Sequence, residues 1–183
     1  MVPKSETAPT PVIPILRSLS EAGIVVALMF LLPYVIHLIP SWDDSPIGGK
    51  LLPIFYAPLI AAMTRKIQIS IIASVVSPWI NHFITGSPPL PIAAMLCIQL
   101  VPFSAIAFVL AKRFPHQFWV GPVAYLASKP FILLLFFLLP NWMPPVDPIN
   151  HLLGTTINAI PGIIILAILS FLSHRTFPPS SHA

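Results

Sequence analysis

Charge is scarce in this 183-residue sequence, since Asp, Glu, Lys and Arg make up 8% of it, whereas soluble domains average about 25%. Hydrophobic residues make up 56% and the mean hydropathy is +0.91, which excludes intrinsic disorder, because disordered chains combine few apolar residues with much charge. The one cysteine, Cys97, excludes a disulfide framework and a multi-thiolate metal site. The composition therefore indicates a chain embedded in a membrane.

The usual motifs of several function classes are also missing. There is no Walker A loop, HExxH, GxSxG or pair of intramembrane carboxylates, so phosphoryl transfer, zinc proteolysis, nucleophile-elbow hydrolysis and a carboxylate proton relay lack their equipment. The nine Lys and Arg form no basic run that would track nucleic acid. No histidine pair has the four-residue spacing of a helical metal site. The sequence predicts neither an enzyme, nor a cofactor, nor a metal site, nor a nucleic-acid partner.

Six apolar segments account for most of the chain, because a transmembrane helix takes about 20 residues and six therefore use about 120. The second segment is short, and its 13 residues would span only about 20 Å. The pattern predicts an all-α integral membrane protein, one six-helix bundle over residues 15–175, with a flexible cytoplasmic tail at 1–14 and a short cytoplasmic tail at 176–183. The predicted segments are Leu19 to Ile39, Leu51 to Met63, Ile67 to Ile84, Leu90 to Leu110, Phe118 to Leu139 and about Asn150 to Ser173.

The basic residues predict the orientation of these segments. Cytoplasmic loops carry an excess of Lys and Arg. With the N-terminus inside, the outer loops hold Lys50 alone, so we expect a multi-pass protein of the cell (inner) membrane with both termini in the cytoplasm. The inner segments then hold seven basic residues, namely Lys4, Arg17, Arg65, Lys66, Lys112, Arg113 and Arg175.

Polar residues within the apolar segments should face protein or a water-filled cavity, because an unsatisfied group in hydrocarbon costs several kcal/mol. Their helical spacing predicts an interior cavity in the outer half of the bundle. The serine stripe of the third segment equally fits helix packing, and the histidines equally fit interfacial or structural positions. The cavity-lining candidates are Tyr34, His37, Asn81, His82, Gln99, Lys129, His151 and Asn158.

Lys129 is the most informative of these candidates. It lies about 15 Å from both ends of its segment, and a central lysine costs about 2.5 to 3.5 kcal/mol to insert. No Asp or Glu falls in a predicted membrane core except Glu21, near the cytoplasmic end of the first segment. We therefore expect a bound anionic ligand, backbone carbonyls or water to partner the ammonium, and a purely structural role for Lys129 remains open.

Three stretches together resemble the substrate-binding S component of energy-coupling factor vitamin transporters. They are Gly49 to Ala62 (GKLLPIFYAPLIAA), Ser77-Pro78-Trp79 with the later Thr85 to Pro91 (TGSPPLP), and Ile160 to Ile164 (IPGII). These are similar to the family's LLPM-like start of a short second helix, its SP and TGMPP-like signature after helix three, and its PGII-like turn in helix six. The similarity covers about residues 15–175, with Ile54 and Ser87 where the family usually has methionine.

The resemblance implies a component that captures a small water-soluble, vitamin-like compound from outside and delivers it through a transmembrane coupling subunit with two ATPases. Lys129 adds the expectation that this compound is anionic. In that family a small-xxx-small pattern of the first helix docks on the partner, and Gly23 and Ala27 have this spacing. The 41–50 loop would be the lid of the cavity. Two other functions stay open: a structural or assembly subunit of a membrane complex, and an intramembrane enzyme with His82 or His151 as the base.

Overall fold

The structure is a computed structural model, and it is all-helical, as the sequence predicts. No strand occurs in the described residues, which are 12–38, 47–64, 66–86, 88–115, 117–138, 140–142 and 145–176. Residues 1–11 and 177–183 of the predicted tails and residues 41–46 of the predicted lid lie outside them. The α-helices are α1 Val12–His37, α2 Ile47–Leu51, α3 Tyr56–Met63, α4 Ile67–Thr85, α5 Leu90–Arg113, α6 Val120–Ser128, α7 Pro130–Leu138, α8 Pro148–Asn158 and α9 Ile160–Thr176, with short 3-10 turns at Pro53–Phe55 and Pro140–Trp142.

Several helices are compatible with a membrane. Among the described residues, three stretches are long and apolar enough to cross one: Ile67–Ile84, Leu90–Arg113 and Val120–Leu138. The pair α8 and α9, bent by 58°, would be a fourth span if it is counted as one. Two further apolar helical stretches, Gly23–Ile36 and Pro53–Met63, are shorter. The structure thus agrees with a membrane protein of three or four spans, and the predicted count of six is not confirmed.

The two middle spans lie close to where the sequence predicts them. Helix α4 ends at Gly86, whose φ of 71° is the left-handed conformation that glycine adopts readily at a helix end. The N–H of Gly86 donates to the carbonyl of His82. Helix α5 begins just after Pro89, and Pro91 lies in its first turn, where a missing N–H is tolerated.

Prolines break two segments that we expect to be continuous helices. Pro130 has no N–H to donate to Leu126, and the fifth segment divides into α6 and α7 at Lys129. Pro161 likewise has no N–H for the carbonyl of Ile157, and the sixth segment divides at Ala159 into α8 and α9. The expectation that the fifth and the sixth segments are each one unbroken helix is therefore wrong.

Helix α1 starts earlier than predicted, at Val12, within the residues assigned to the flexible tail. Pro14 is compatible with this start, because the first four N–H groups of a helix have no intrahelical partner. The boundary of the tail at residue 14 is therefore three residues too late.

The centre of the core lies where the 3-10 turn Pro53–Phe55, α5 and α6 meet, and aromatic rings fill it. The ring of Phe55 makes edge-on contacts with Phe103, at 5.0 Å between centroids, and with Tyr125, at 5.2 Å. All three side chains are buried. Such edge-to-face pairs stabilise a core by about 0.5 to 1.5 kcal/mol beyond their buried area, so these contacts fix Tyr125 on its helix.

Two of the motifs that carry the family resemblance pack against each other. A Cβ added to Gly162 would lie 2.7 Å from Leu52 Cγ and 2.7 Å from the carbonyl oxygen of Lys50. Leu52 itself has a positive φ of 57°, and the Tyr56 hydroxyl donates to the carbonyl of Leu51. Only glycine leaves room at position 162 for the chain that enters α3 to pass over the start of α9.

Candidate ligand-binding site

Lys129 lies at the break between α6 and α7, in the middle of the span Val120–Leu138. Its own N–H donates to the carbonyl of Leu126, and its carbonyl accepts from the N–H of Ile132. Both bonds connect residues three apart, a tighter spacing than in an α-helix, because Pro130 removes the regular bond. The sequence Lys-Pro thus places a cationic side chain at an irregular point of the backbone.

The Lys129 side chain is buried, with 5% of its surface exposed. Its Nζ donates to Thr155 Oγ1 at 2.9 Å and lies 5.1 Å from the centroid of the Tyr125 ring. Contact with Tyr125 agrees with the four-residue spacing of the two on the sequence. Among the side chains that the structure describes, no carboxylate pairs with Lys129. A hydroxyl and an aromatic face hold the ammonium.

Thr155 belongs to this site, although the sequence did not single it out. Its hydroxyl lies 2.8 Å from the carbonyl oxygen of His151 and 3.2 Å from that of Leu152. The hydroxyl proton can go to either carbonyl while the oxygen accepts from Lys129. The helix backbone therefore orients Thr155 toward the ammonium. Thr155 lies four residues after His151, on the face that the sequence marked, and this was the one signal that pointed to it.

Gln99 joins the site from α5. Its side chain is 4% exposed and lies beside the hydroxyl of Tyr125, whose ring faces Lys129. In the described part of the chain, Gln99 Nε2 has no hydrogen-bond partner. An unsatisfied buried donor costs about 1 to 3 kcal/mol. The buried amide therefore leaves donor groups available for an acceptor.

His151 lies at the other side of the site, half-buried on α8. Its ring packs at 5.6 Å from the ring of Phe136, on α7. Phe136 belongs to a buried apolar cluster with Met95, Ile132 and Leu135. Charged and polar groups thus lie against apolar surfaces, which strengthen any electrostatic contact made there.

The buried polar face of α4 serves packing instead. Ser74 Oγ lies 2.8 Å from Ser104 Oγ of α5, and Ser70 Oγ donates to the carbonyl of Pro58 in α3. Asn81 Nδ2 contacts the carbonyls of Met29, at 3.5 Å, and Ser77, at 3.0 Å. These bonds connect α4 to three other helices, in line with the helix-packing interpretation of the serine stripe.

The remaining candidates have no recorded contact with Lys129 in the described part of the chain. His82 Nδ1 lies 2.9 Å from the carbonyl oxygen of Pro88, which ties the end of α4 to the following turn. Tyr34 is 51% exposed and stacks on Phe30. Asn158 is exposed, and the side chain of His37 lies outside those described. Of the eight candidates, Gln99 lies beside Tyr125, whose ring faces Lys129, and His151 lies one helical turn before Thr155, which accepts from Lys129.

The predicted partner face of α1 is exposed. Gly23 and Ala27 both lie on the surface, and a Cβ added to Gly23 would meet no atom of the structure's described part within 4 Å. Packing within this part of the chain therefore does not explain the small residues of this face.

A metal would need several oxygen, nitrogen or thiolate ligands together. No group of three or more His, Cys, Asp or Glu occurs among the residues described. The N–H donors of Lys129 and Gln99 suit an acceptor rather than a metal ion.

Comparisons with protein-family models, with curated proteins and with solved structures found no match to this chain. The resemblance to the S components therefore depends on the sequence motifs alone.

Proposed function

We propose that the chain is the substrate-capture component of an energy-coupling-factor type importer, which binds a small anionic solute from outside the cell. The observation that carries the proposal is the buried Lys129 ammonium, whose recorded contacts among the described residues are neutral. An intramembrane charge is costly and marks a ligand pathway more often than a packing device. An anion bound at Lys129 would offset the cost of burying its charge.

Gln99 supports ligand binding over a purely structural role. The serines that pack α4 have recorded partners, as helix-connecting groups should, whereas Gln99 Nε2 has none in the described residues. A subunit that used its polar groups only for packing would gain from pairing or replacing this amide. The alternative function, a structural or assembly subunit, explains the buried serines but does not explain why Gln99 and Lys129 are buried.

The proposed topology has six passes with both termini in the cytoplasm. It counts the shorter apolar helices Gly23–Ile36 and Pro53–Met63 as spans, and it is supported by the seven basic residues on the inner side against Lys50 outside. Single cysteines at Ser45 and Ser87, introduced with Cys97→Ala, should react with a membrane-impermeant maleimide on intact cells. Labelling only after permeabilisation would contradict this topology.

Delivery of the solute would require a transmembrane coupling subunit and two ATPases, because the sequence has no nucleotide-binding motif of its own. The exposed face with Gly23 and Ala27 is the docking surface that we propose, since small residues let two helices approach closely. Membrane lipid would cover the rest of the apolar exterior.

A retained small molecule tests the proposed function. The protein is purified in mild detergent, denatured, and the released molecules are identified by mass spectrometry, with Lys129→Met and the exposed-lysine variant Lys112→Met as a matched pair. We expect one solute with wild type and with Lys112→Met, and little or none with Lys129→Met. If the protein retains no solute, and if deleting the protein from cells disrupts a membrane complex, the alternative function as a structural subunit would be favoured. Chemical conversion of a solute by the isolated protein, without a partner subunit, would favour the alternative function as an intramembrane enzyme.

A further inference from the structure

The hydrogen-bonding groups of the Lys129 site are mainly donors. The ammonium has three N–H donors, and one of them is directed to Thr155 Oγ1. The Gln99 amide nitrogen has two donors and no partner in the described residues. The Gln99 side chain lies beside the Tyr125 hydroxyl. A ligand that satisfies this site must therefore present acceptors, and an ionised carboxylate is acceptor-only, with two oxygens.

The charge of the site restricts the ligand further. Lys129 is the one Lys or Arg, in the described spans, that does not lie at the end of a span. A monoanion would neutralise the ammonium, whereas a phosphate dianion would leave a second charge without a partner in an apolar region, which is strongly unfavourable. The charge balance thus favours a carboxylate over a phosphate.

The surroundings of the donors are apolar and aromatic. The ring of Phe136 packs on His151, and the ring of Tyr125 packs on Phe55. These surfaces suit the apolar part of a small molecule rather than a polyhydroxylated one, whose hydroxyl groups would need partners.

We propose, on the basis of the proposed function, that the ligand is a small organic monocarboxylate with an apolar body. Its carboxylate accepts hydrogen bonds from the Lys129 ammonium and the Gln99 amide, and Thr155 positions the ammonium. This assigns Gln99 a direct role in selecting an acid over its amide or its phosphate analogue.

Fluorine NMR with three probes of one shape tests this ligand class: 4-fluorobenzoate, 4-fluorobenzamide and 4-fluorophenyl phosphate. Line broadening is measured with the full chain in mild detergent, and broadening that persists in Lys129→Met is assigned to the micelle. We expect 4-fluorobenzoate to bind wild type and Lys112→Met, and to bind Lys129→Met about 30-fold more weakly or worse. The amide and the phosphate should show no broadening that depends on Lys129.

Gln99→Glu is the second variant, because it keeps the size of the side chain and replaces two donors by a carboxylate that can pair with Lys129. It should fold, as melting curves will verify, and its affinity for 4-fluorobenzoate should fall by a factor similar to that of Lys129→Met. Equal binding of acid and amide, tighter binding of the phosphate, or unchanged binding in Gln99→Glu would overturn the inference.

The same experiment separates the inference from the proposed function. If no probe binds in a Lys129-dependent way while wild type releases a solute without a carboxylate, the monocarboxylate inference is wrong and solute capture stands. If no probe binds and no solute is released, both are wrong.

Discussion

Lys129→Met should weaken ligand binding strongly and leave the unliganded protein as stable as before, or more stable. Methionine keeps much of the volume of the lysine stem and removes the charge. The two outcomes together separate a ligand-binding lysine from a structural one, because a structural lysine should show the opposite pattern.

The stability change is estimated from the contacts of the ammonium. The substitution removes one hydrogen bond of a charged donor, a contribution of about 1.5 to 3 kcal/mol, and a contact with the Tyr125 ring, about 0.5 to 2 kcal/mol. Against these losses stands the relief of burying a charge, several kcal/mol for an ion without a charged partner. Thr155 Oγ1 keeps its bonds to the carbonyls of His151 and Leu152, so the substitution leaves no new unsatisfied group there.

The binding change follows from removing one charged contact. Losing one partner of a buried, hydrogen-bonded charge pair costs about 2 to 5 kcal/mol, which corresponds to a loss of affinity of about 30-fold or more. The assay is calorimetric titration of wild type and Lys129→Met with the molecule released from the wild-type protein, alongside melting curves without ligand. Unchanged affinity together with a lower melting temperature would refute the role of Lys129 in binding.

Three further predictions concern the rest of the fold. Ala27→Leu should abolish uptake by cells and leave ligand binding to the isolated protein unchanged, because bulk on the exposed face of α1 keeps a partner helix away; equal loss of both would place this face inside the protein. Gly162→Ala should lower the free energy of unfolding by about 1 to 3 kcal/mol, because the added Cβ meets Leu52. Gly154→Ala adds a Cβ that meets nothing within 4 Å in the described residues, so it should leave the free energy of unfolding unchanged or raise it by up to about 1 kcal/mol. Melting curves measure both changes. A double-mutant cycle of Ser74→Ala and Ser104→Ala should give a coupling of about 0.6 kcal/mol, and at most about 1.7; zero coupling would show that their hydrogen bond contributes nothing.

Local signals were enough to predict the regular parts of the fold. Helix α5 begins at the predicted Leu90 and α4 ends one residue after the predicted Ile84, because Pro89 and Gly86 act through backbone conformation alone. The contact of Tyr125 with Lys129 follows from helical spacing. Hydropathy continued through Pro130 and Pro161, so the breaks there were missed, although a missing N–H within a helix is a visible signal.

Contacts between distant parts of the chain could not be predicted. Thr155 is 26 residues from Lys129, and the bend at Ala159 contributes to its position. Gln99 was a candidate because it is an amide in an apolar segment, but its place beside Tyr125 depends on how α5 packs on α6. Asn81 has the same sequence signal as Gln99, and it makes recorded bonds to carbonyls of α1 and α4. Polarity and depth identify both residues, and packing alone separates them.

Binding of the released solute to right-side-out membrane vesicles, without permeabilisation, tests the central claim most directly. Vesicles with wild type or with Lys112→Met should bind the solute saturably from the outer side, and vesicles with equal amounts of Lys129→Met should bind it about 30-fold more weakly. Binding that appears only after the vesicles are opened, or that is equal in Lys129→Met, would contradict capture from outside at Lys129.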